Sequence, residues 1–246
     1  MPAAPSFRPY EGPVWRMVEG QHVVSTMALV DTLEEQAVLE EVLEATKPPV
    51  PEECRHLHYL MYSPFRYGVY PSDSRFRRKG RTPGVFYASE HPLTAAAETV
   101  WYRFRFFDAA PGVPLPATAA DFTAIAVQVA TPFALDLTEP PYLARSAEWT
   151  EPDDYRACLS FSEEARNAGG EAIRYTSVRD PEARANLAVM TCRAFAGREP
   201  AARQGWRILL KPDRALVVRE FPRLSAEFRR DGGSRLIWGS TPGDGT

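Results

Sequence analysis

Residues that could bind an anion and act on it are concentrated in the stretch SRFRRKGRTPGVFYASEHPLTAAAE, residues 74–98. Five cations fall within its first eight residues, and Tyr87 and Glu98 follow them. Arginine binds phosphate through paired, charge-assisted hydrogen bonds, tyrosine stacks on flat rings, and a carboxylate stabilises developing positive charge. The stretch therefore favours an anionic, partly aromatic small molecule as its ligand. The alternative is a solvated basic loop beside an ordinary strand and helix.

The elements that must position these residues predict an α+β fold. Short strands are predicted where apolar and aromatic residues alternate between turn signals, and helices where apolar residues recur at three- or four-residue spacing. Thr32 and Glu35 form a capping box for the first helix, and Pro92 is a favoured first residue for the helix that carries Glu98. The predicted strands are 14–18, 56–62, 85–89, 122–138, 171–178, 185–195 and a hairpin of 206–210 with 215–221. The predicted helices are 31–46, 92–107 and 152–170.

The composition is that of a folded protein, because 44% of the 246 residues are hydrophobic and 25% are charged. A chain of this length can bury a sizeable core, and we expect one domain over residues 1–246. Its core is expected at about 14–222 from the element pattern, with loosely ordered ends at 1–12 and 231–246. The net charge of −3 argues against a general nucleic-acid binder, which is normally basic, so we expect no direct nucleic-acid binding.

The expected location is the cytoplasm, with no attachment to a membrane. The chain has no apolar segment behind a basic start and no run of about 18 apolar residues. Its three cysteines, Cys54, Cys158 and Cys192, are widely spaced and odd in number. That pattern fits a reducing environment better than a disulfide framework.

Several standard motifs for chemistry are absent from the sequence. The glycine-rich fingerprints of dinucleotide and P-loop sites do not occur, and neither do the HExxH and GxSxG motifs. The four histidines do not stand at metal-ligand spacing with carboxylates, so no metal site is expected; they are His22, His56, His58 and His91.

What is left is a set of polar residues near the ends of predicted strands and helices. Each has an ordinary structural explanation when taken singly, as a surface cation, a core tyrosine, an exposed helix residue or a turn residue. Composition and periodicity alone therefore indicate no more than an α+β domain. The set consists of Arg16, Arg75, Tyr87, Glu98 and Ser177.

In combination and order, these residues resemble the RES domain family, the toxins of RES–Xre toxin–antitoxin pairs that act on NAD⁺. The matching motifs are a first strand ending in arginine, a loop Ser-Arg-Phe, a strand VFYAS, a helix start TAAAE and a strand AIRYTSV with a following Asn-Leu. They span about residues 16–190. The chain departs from the family pattern at Arg77, where an asparagine is usual, and at Thr176, where a proline is usual.

The resemblance implies an ADP-ribosyltransferase-like fold, with two small, roughly perpendicular mixed sheets around an NAD cleft and helices about them. It implies NAD⁺ as substrate, possibly with inorganic phosphate as co-substrate, no permanently bound cofactor and an Xre-family antitoxin as partner. The reaction would break the nicotinamide–ribose bond by phosphorolysis or hydrolysis. The implied catalytic residues are Glu98, Arg16 and Ser177, and the implied substrate-binding residues are Arg16, Ser74, Arg75, Tyr87, Glu98 and Ser177.

The roles that the resemblance implies follow from the chemistry of NAD⁺. Arg16 and Arg75 would hold phosphates or ribose, and Tyr87 would line the nicotinamide pocket. Glu98 would stabilise the positive charge that develops on the ribose when the bond breaks, and Ser177 would position the substrate.

Three alternatives stay open. One is transfer of ADP-ribose to a protein, because the same glutamate would serve that reaction. Such transferases often have a second carboxylate where this chain has Ala96, and this difference favours NAD⁺ degradation. Another is an RNA-binding module built from the basic loop and nearby aromatic residues. A third is a protein-interaction module. The sequence does not indicate whether the chain forms a homo-oligomer.

Overall fold

Two long strands form the centre of the fold. The computed structural model describes residues 5–20, 29–68 and 70–243. Within them, β1 (Arg8–Glu19) pairs antiparallel with β3 (Ala120–Asp136) along nearly its whole length. The predicted strand 14–18 is the second half of β1, and the segment predicted as one or two strands at 122–138 is the single strand β3.

Three short, largely buried strands connect the two long ones: β2 (Phe86–Ser89), β4 (Ala172–Thr176) and β5 (Ala185–Val189). β2 pairs antiparallel with β1 and with β5, β5 pairs antiparallel with β4, and β4 runs parallel to the end of β3. The pairings therefore close a ring of five strands. This ring brings the ends of β2, β4 and β5 close together although they are far apart in the sequence.

An antiparallel meander extends from the first half of β3. Its strands are β6 (Ala202–Leu210), β7 (Arg214–Arg219), β8 (Leu224–Arg230) and β9 (Leu236–Gly243). β6 and β7 confirm the predicted hairpin. β8 and β9 were not predicted. β9 lies in the C-terminal segment that was expected to be loosely ordered, and the beginning of β1 lies in the corresponding N-terminal segment. Residues 1–4 and 244–246 of those ends lie outside the described part of the chain.

The α+β class is confirmed by this arrangement. Hydrogen-bonded pairs connect all nine strands found among the described residues in one network. A division into two roughly perpendicular sheets, and with it the ADP-ribosyltransferase-like arrangement, is not confirmed. The single domain stays a prediction.

Five α-helices are found in the described residues: α1 (Leu33–Thr46), α2 (Tyr59–Arg66), α3 (Pro92–Asp108), α4 (Ser146–Trp149) and α5 (Arg156–Asn167). The three predicted helices are confirmed as α1, α3 and α5. Half of the predicted capping box is present, because Thr32 Oγ1 accepts a hydrogen bond from the Glu35 N–H at 3.1 Å. The Glu35 carboxylate accepts its bond from Asp31 N–H, one residue before the cap.

The prediction of a strand over residues 56–62 is wrong, because most of that segment belongs to α2. His58 caps the helix by accepting a hydrogen bond from the Leu60 N–H at its Nδ1. Leu57, Met61 and Phe65 are buried together in the core. Their four-residue spacing is the helical signal in this stretch, and the alternation of aromatic and apolar residues obscured it.

The expectation of unpaired cysteines is wrong for one pair. Cys54 and Cys192 form a disulfide with a Cα–Cα distance of 5.5 Å across 138 residues of sequence. The bond joins the turn before α2 to the turn after β5. Cys158 is free and buried.

Neither a membrane span nor a metal cluster was found in the described ranges. No helix there combines the length and the apolar composition that crossing a membrane requires. No three side chains of histidine, cysteine, aspartate or glutamate come together there in a way that could hold a metal ion. His22 lies outside the described residues.

Candidate active site

A cavity of about 720 Å³ lies between α3, β1 and the loop that precedes β2. Five of the six predicted site residues line it, and the sixth, Ser177, lies directly behind Glu98. Pockets of this size are typical of small-molecule sites. The predicted residues in its wall are Arg16, Ser74, Arg75, Tyr87 and Glu98.

Helix α3 holds Glu98 in a fixed place at the cavity. His91 caps the start of the helix, because its Nδ1 accepts a hydrogen bond from the Leu93 N–H at 3.2 Å. Thr94 Oγ1, in the first turn, donates to Asp180 Oδ2 at 2.6 Å. Three consecutive small side chains, residues 95–97, are buried and let the helix lie close to the sheet. The same helix packs its apolar side against the meander.

The carboxylate of Glu98 is held by one of its two oxygens. Oε1 accepts hydrogen bonds from Ser177 Oγ and from Asn186 Nδ2, both at 2.7 Å. Asn186 is itself oriented by Ser89, whose hydroxyl donates to Asn186 Oδ1 at 2.6 Å. No described residue donates a hydrogen bond to Oε2, so this oxygen is available to a ligand in the cavity.

Ser177 holds Glu98 and is not part of the cavity wall. Its hydroxyl accepts from the backbone N–H groups of Arg179 and Asp180, which leaves its proton to be donated to Glu98. The side chain is 2% exposed. The geometry supports a positioning role for Ser177 through the carboxylate rather than direct contact with a substrate.

Asn186 belongs to the site although the sequence analysis did not assign it a role. It stands on β5, which lies between β2 and β4 in the strand ring, and its amide donates to the same carboxylate oxygen as Ser177 does. The signal that could have found it is the Asn-Leu pair that accompanies the serine motif in the resemblance.

Tyr87 ties the arginine-rich loop to the sheet. Its hydroxyl forms hydrogen bonds with Ser74 Oγ at 2.8 Å and with the Phe76 N–H at 2.9 Å, while its carbonyl accepts from Arg16 Nη1 at 3.2 Å. Burial raises the pKa of the Tyr87 hydroxyl above its usual range. The hydroxyl is thus engaged with the loop, while Tyr87 also lines the cavity.

Four cavity-lining arginines have no carboxylate partner among the described residues: Arg16, Arg75, Arg77 and Arg179. Each is instead held by backbone carbonyls and lies over an aromatic ring. Burial lowers the pKa of Arg16 from its usual value. The cavity wall therefore carries positive charge that an anionic ligand would neutralise.

Arg75 is the most enclosed of the cations on the loop. It is 6% exposed, and its Nη1 donates to the carbonyls of Trp149 and Glu151 at 2.8 and 3.0 Å. The guanidinium lies 4.7 Å from the centre of the Tyr155 ring. Its Nη2 is buried and has no hydrogen-bond partner. A buried donor left without a partner is costly, so this nitrogen lowers the stability of the loop that carries Arg75.

Arg179 was also missed by the sequence analysis. It donates to the carbonyls of Ser234 and Pro152 and lies 3.5 Å from the centre of the Trp101 ring. Ser234 belongs to the loop between β8 and β9, which was expected to be loosely ordered. The sequence offered no local signal for a contact between segments 55 residues apart.

The cap of α3 predicts an acid sensitivity of stability. Burial, followed by the Arg184 charge, lowers the pKa of His91 from its usual 6.5. Folding therefore favours the neutral form of His91. The stability that this neutral cap contributes is complete above pH 6.5, and it is lost as the pH falls toward the pKa that His91 has in the folded protein. We expect the melting temperature to fall by roughly 1–3 °C over that window, because a protonated Nδ1 cannot accept the Leu93 bond. His91→Asn keeps a cap acceptor and should lose this pH dependence in thermal melts.

Of the comparisons with known proteins, the one with protein families agrees with the resemblance seen in the sequence. A chain in the crystal structure of the M. tuberculosis MbcT–MbcA toxin–antitoxin complex is similar over 80% of this chain and 85% of its own, with 14% sequence identity and a TM-score of 0.46. The comparison with curated proteins gave no match. The RES domain family matches residues 50–211, about two thirds of the sequence. The chain belongs to the RES domain family.

Proposed function

We propose that this cavity binds NAD⁺ and that the protein breaks its nicotinamide–ribose bond. The observation that carries the proposal is the Glu98 carboxylate, held through Oε1 and open at Oε2, in a wall whose other unpaired charges are arginines. A dianionic pyrophosphate suits those arginines, and a ribose carbon that becomes positive suits the carboxylate.

The reaction needs little from the protein beyond charge and position. The electron pair of the C1′–N bond leaves with nicotinamide, which becomes neutral, and C1′ becomes positive. Glu98 stabilises that charge through the open oxygen, while Ser177 and Asn186 keep the carboxylate still. Water then adds to C1′ and releases a proton to give ADP-ribose, or phosphate adds to give ADP-ribose 1″-phosphate.

The acceptor is the part of the proposal that the site supports least specifically. Ala96, whose small size favoured NAD⁺ degradation over protein modification, is fully buried among core residues and does not line the cavity. A carboxylate at this position would point into the core, so Ala96 does not discriminate between acceptors in this fold. We keep water or phosphate as the proposed acceptor, and a protein side chain as the second.

The RNA-binding alternative is disfavoured by the contacts of the basic loop. Arg75 is buried, and Arg77 lies 3.9 Å from the centre of the Tyr70 ring. Arg78 pairs with Glu163 at 2.7 Å. Phe76, a candidate stacking residue, is fully buried. A polynucleotide would need aromatic rings that are free to stack on its bases and cations that are free to contact its phosphates. Few of these groups in the basic loop are free to do so.

The same proposal includes the biological setting that the family resemblance implies. The protein would act as the toxin of a toxin–antitoxin pair in the cytoplasm, by consuming NAD⁺, and an Xre-family antitoxin would be its partner. Expression of the chain alone should then lower cellular NAD⁺ and stop growth.

The decisive experiment is to incubate the purified chain with NAD⁺, with and without phosphate, and to identify the products by mass spectrometry. Free nicotinamide together with ADP-ribose would establish hydrolysis, and ADP-ribose 1″-phosphate formed only with phosphate would establish phosphorolysis. Labelled ADP-ribose on protein from a cell lysate, with NAD⁺ otherwise intact, would favour the second acceptor. No loss of NAD⁺ in any of these mixtures would overturn the proposal.

A further inference from the structure

The cavity continues beyond Glu98 along helix α3. Glu98, Tyr102 and Phe106 are four residues apart, so they share one face of the helix, and all three line the cavity. Eight residues of helix separate the carboxylate from Phe106 by about 12 Å. At this far end, near Phe106, the cavity is lined by Phe107 and Phe122, with the charged pair Glu19 and Arg103.

Two aromatic side chains on this face are open to the cavity. Tyr102 is 55% exposed and Phe106 is 64% exposed. Each makes a T-shaped contact with the neighbouring ring on its own helix, Trp101 and Phe107 respectively, and more than half of each residue remains exposed. Aromatic surface beside a cavity, rather than in the core, is suited to stacking on the flat ring of a ligand.

The accessible charge at the far end is a carboxylate. Arg103 Nη1 and Glu19 Oε1 are 2.8 Å apart, but the arginine side chain is 18% exposed and the glutamate side chain 58%. The Arg103 guanidinium lies beside the rings of Phe107 and Phe122, at 5.9 and 5.4 Å from their centres. Glu19 is therefore the group that meets a ligand, and its second oxygen can accept hydrogen bonds.

We propose that this far end binds the adenosine half of NAD⁺, with the base stacked near Phe106 and the ribose hydroxyls donating to Glu19. The inference rests on the proposed function, which places the reacting ribose at Glu98 and the pyrophosphate at the arginines. The second base then has to occupy another part of the cavity, and this end combines open aromatic surface with a hydroxyl acceptor and no arginine that lacks a carboxylate partner.

The Glu19 carboxylate also makes this end of the cavity selective between NAD⁺ and NADP⁺. A ribose with a free 2′-hydroxyl can donate to Glu19, whereas the 2′-phosphate of NADP⁺ would bring negative charge against it. Acidic residues select the 2′-hydroxyl in the same way in other dinucleotide sites, by hydrogen bonding and charge. The protein should therefore use NAD⁺ in preference to NADP⁺.

The test compares nicotinamide release from NAD⁺, NADP⁺ and nicotinamide mononucleotide, which lacks the adenosine half. Glu19→Gln should reduce the preference for NAD⁺ over NADP⁺ by about tenfold, since one charge-assisted contact is lost. Phe106→Ala should raise KM for NAD⁺ by about tenfold and leave KM for the mononucleotide unchanged. Two control variants, Glu11→Gln on the same strand and Phe133→Ala on β3, alter exposed side chains outside the cavity wall.

Unchanged selectivity in Glu19→Gln, or equal effects of Phe106→Ala on both substrates, would overturn the inference while leaving the proposed function standing. Binding of adenosine 5′-monophosphate, measured by calorimetry, tests the adenosine subsite separately from the proposed function, because it needs no turnover. Weaker binding to Phe106→Ala, with the Phe133→Ala control unaffected, supports the subsite even if NAD⁺ is not consumed. Equal binding to both variants contradicts it.

Discussion

Glu98→Gln should lower the rate of nicotinamide release from NAD⁺ by about 10²- to 10³-fold. Glutamine has the shape of glutamate, and its Oε1 can still accept the bonds from Ser177 and Asn186. The variant therefore keeps the geometry of α3, but it loses the negative charge and carries an NH2 group in place of the open oxygen. The initial rate of nicotinamide release measures the effect, and a thermal melt shows that the fold is intact.

A matched variant separates loss of this charge from a general loss of charge. Glu41→Gln changes an exposed glutamate on α1, away from the cavity, and should keep the wild-type rate. Ser177→Ala, which frees one side of the carboxylate, should lower the rate less than Glu98→Gln does, because Asn186 still holds it. A Glu98→Gln variant as fast as the wild type would show that bond cleavage takes place elsewhere.

The parts of the site that lie within one element could be predicted from the sequence. The Pro92 start of α3, its small buried residues and Glu98 all stand within seven positions, and local rules for helix starts place them correctly. The same holds for Tyr87 on β2, where an apolar run follows a turn signal. In these cases the conformation depends on neighbours in the chain.

The contacts that make the site depend on topology and could not be predicted in this way. Ser177 and Asn186 are 79 and 88 residues from Glu98, and they meet it because β4 and β5 are adjacent in the strand ring. The motifs of the family gave the order of these residues but not the partner of each atom. Tyr87 illustrates the difference. The sequence placed it close to the basic loop along the chain, but it did not indicate that the Tyr87 hydroxyl forms hydrogen bonds with that loop.

The errors have related causes. In α2, the periodicity of aromatic residues outweighed the four-residue spacing of the buried ones. At the C-terminal end, glycine and charged residues indicated a loose tail, yet β8 and β9 complete the meander and their loop accepts a bond from Arg179. The Cys54–Cys192 pair joins turns 138 residues apart, and spacing alone carries no information on such a contact.

Arg75→Met should weaken the binding of ADP-ribose by about 10- to 100-fold. Arg75 lines the cavity and has no carboxylate partner among the described residues, so a phosphate of the ligand is the anion that its charge would meet. Calorimetric titration in the Glu98→Gln background measures the affinity without turnover. Arg81→Met is the control, since Arg81 belongs to the same basic run but its side chain is 76% exposed.

The same substitution should also lower stability, because the carbonyls of Trp149 and Glu151 lose their donor, at a cost of about 1–3 kcal/mol. Arg75→Lys separates the two effects. Lysine keeps the charge and a donor group, so it should recover part of the stability. It lacks the planar guanidinium that can bind a pair of carbonyls and a phosphate at the same time, so it should not recover the full affinity. Full affinity in Arg75→Lys would show that charge alone holds the ligand. Full affinity in Arg75→Met would show that this guanidinium does not hold the ligand, and the anion would then have to be assigned to Arg16, Arg77 or Arg179.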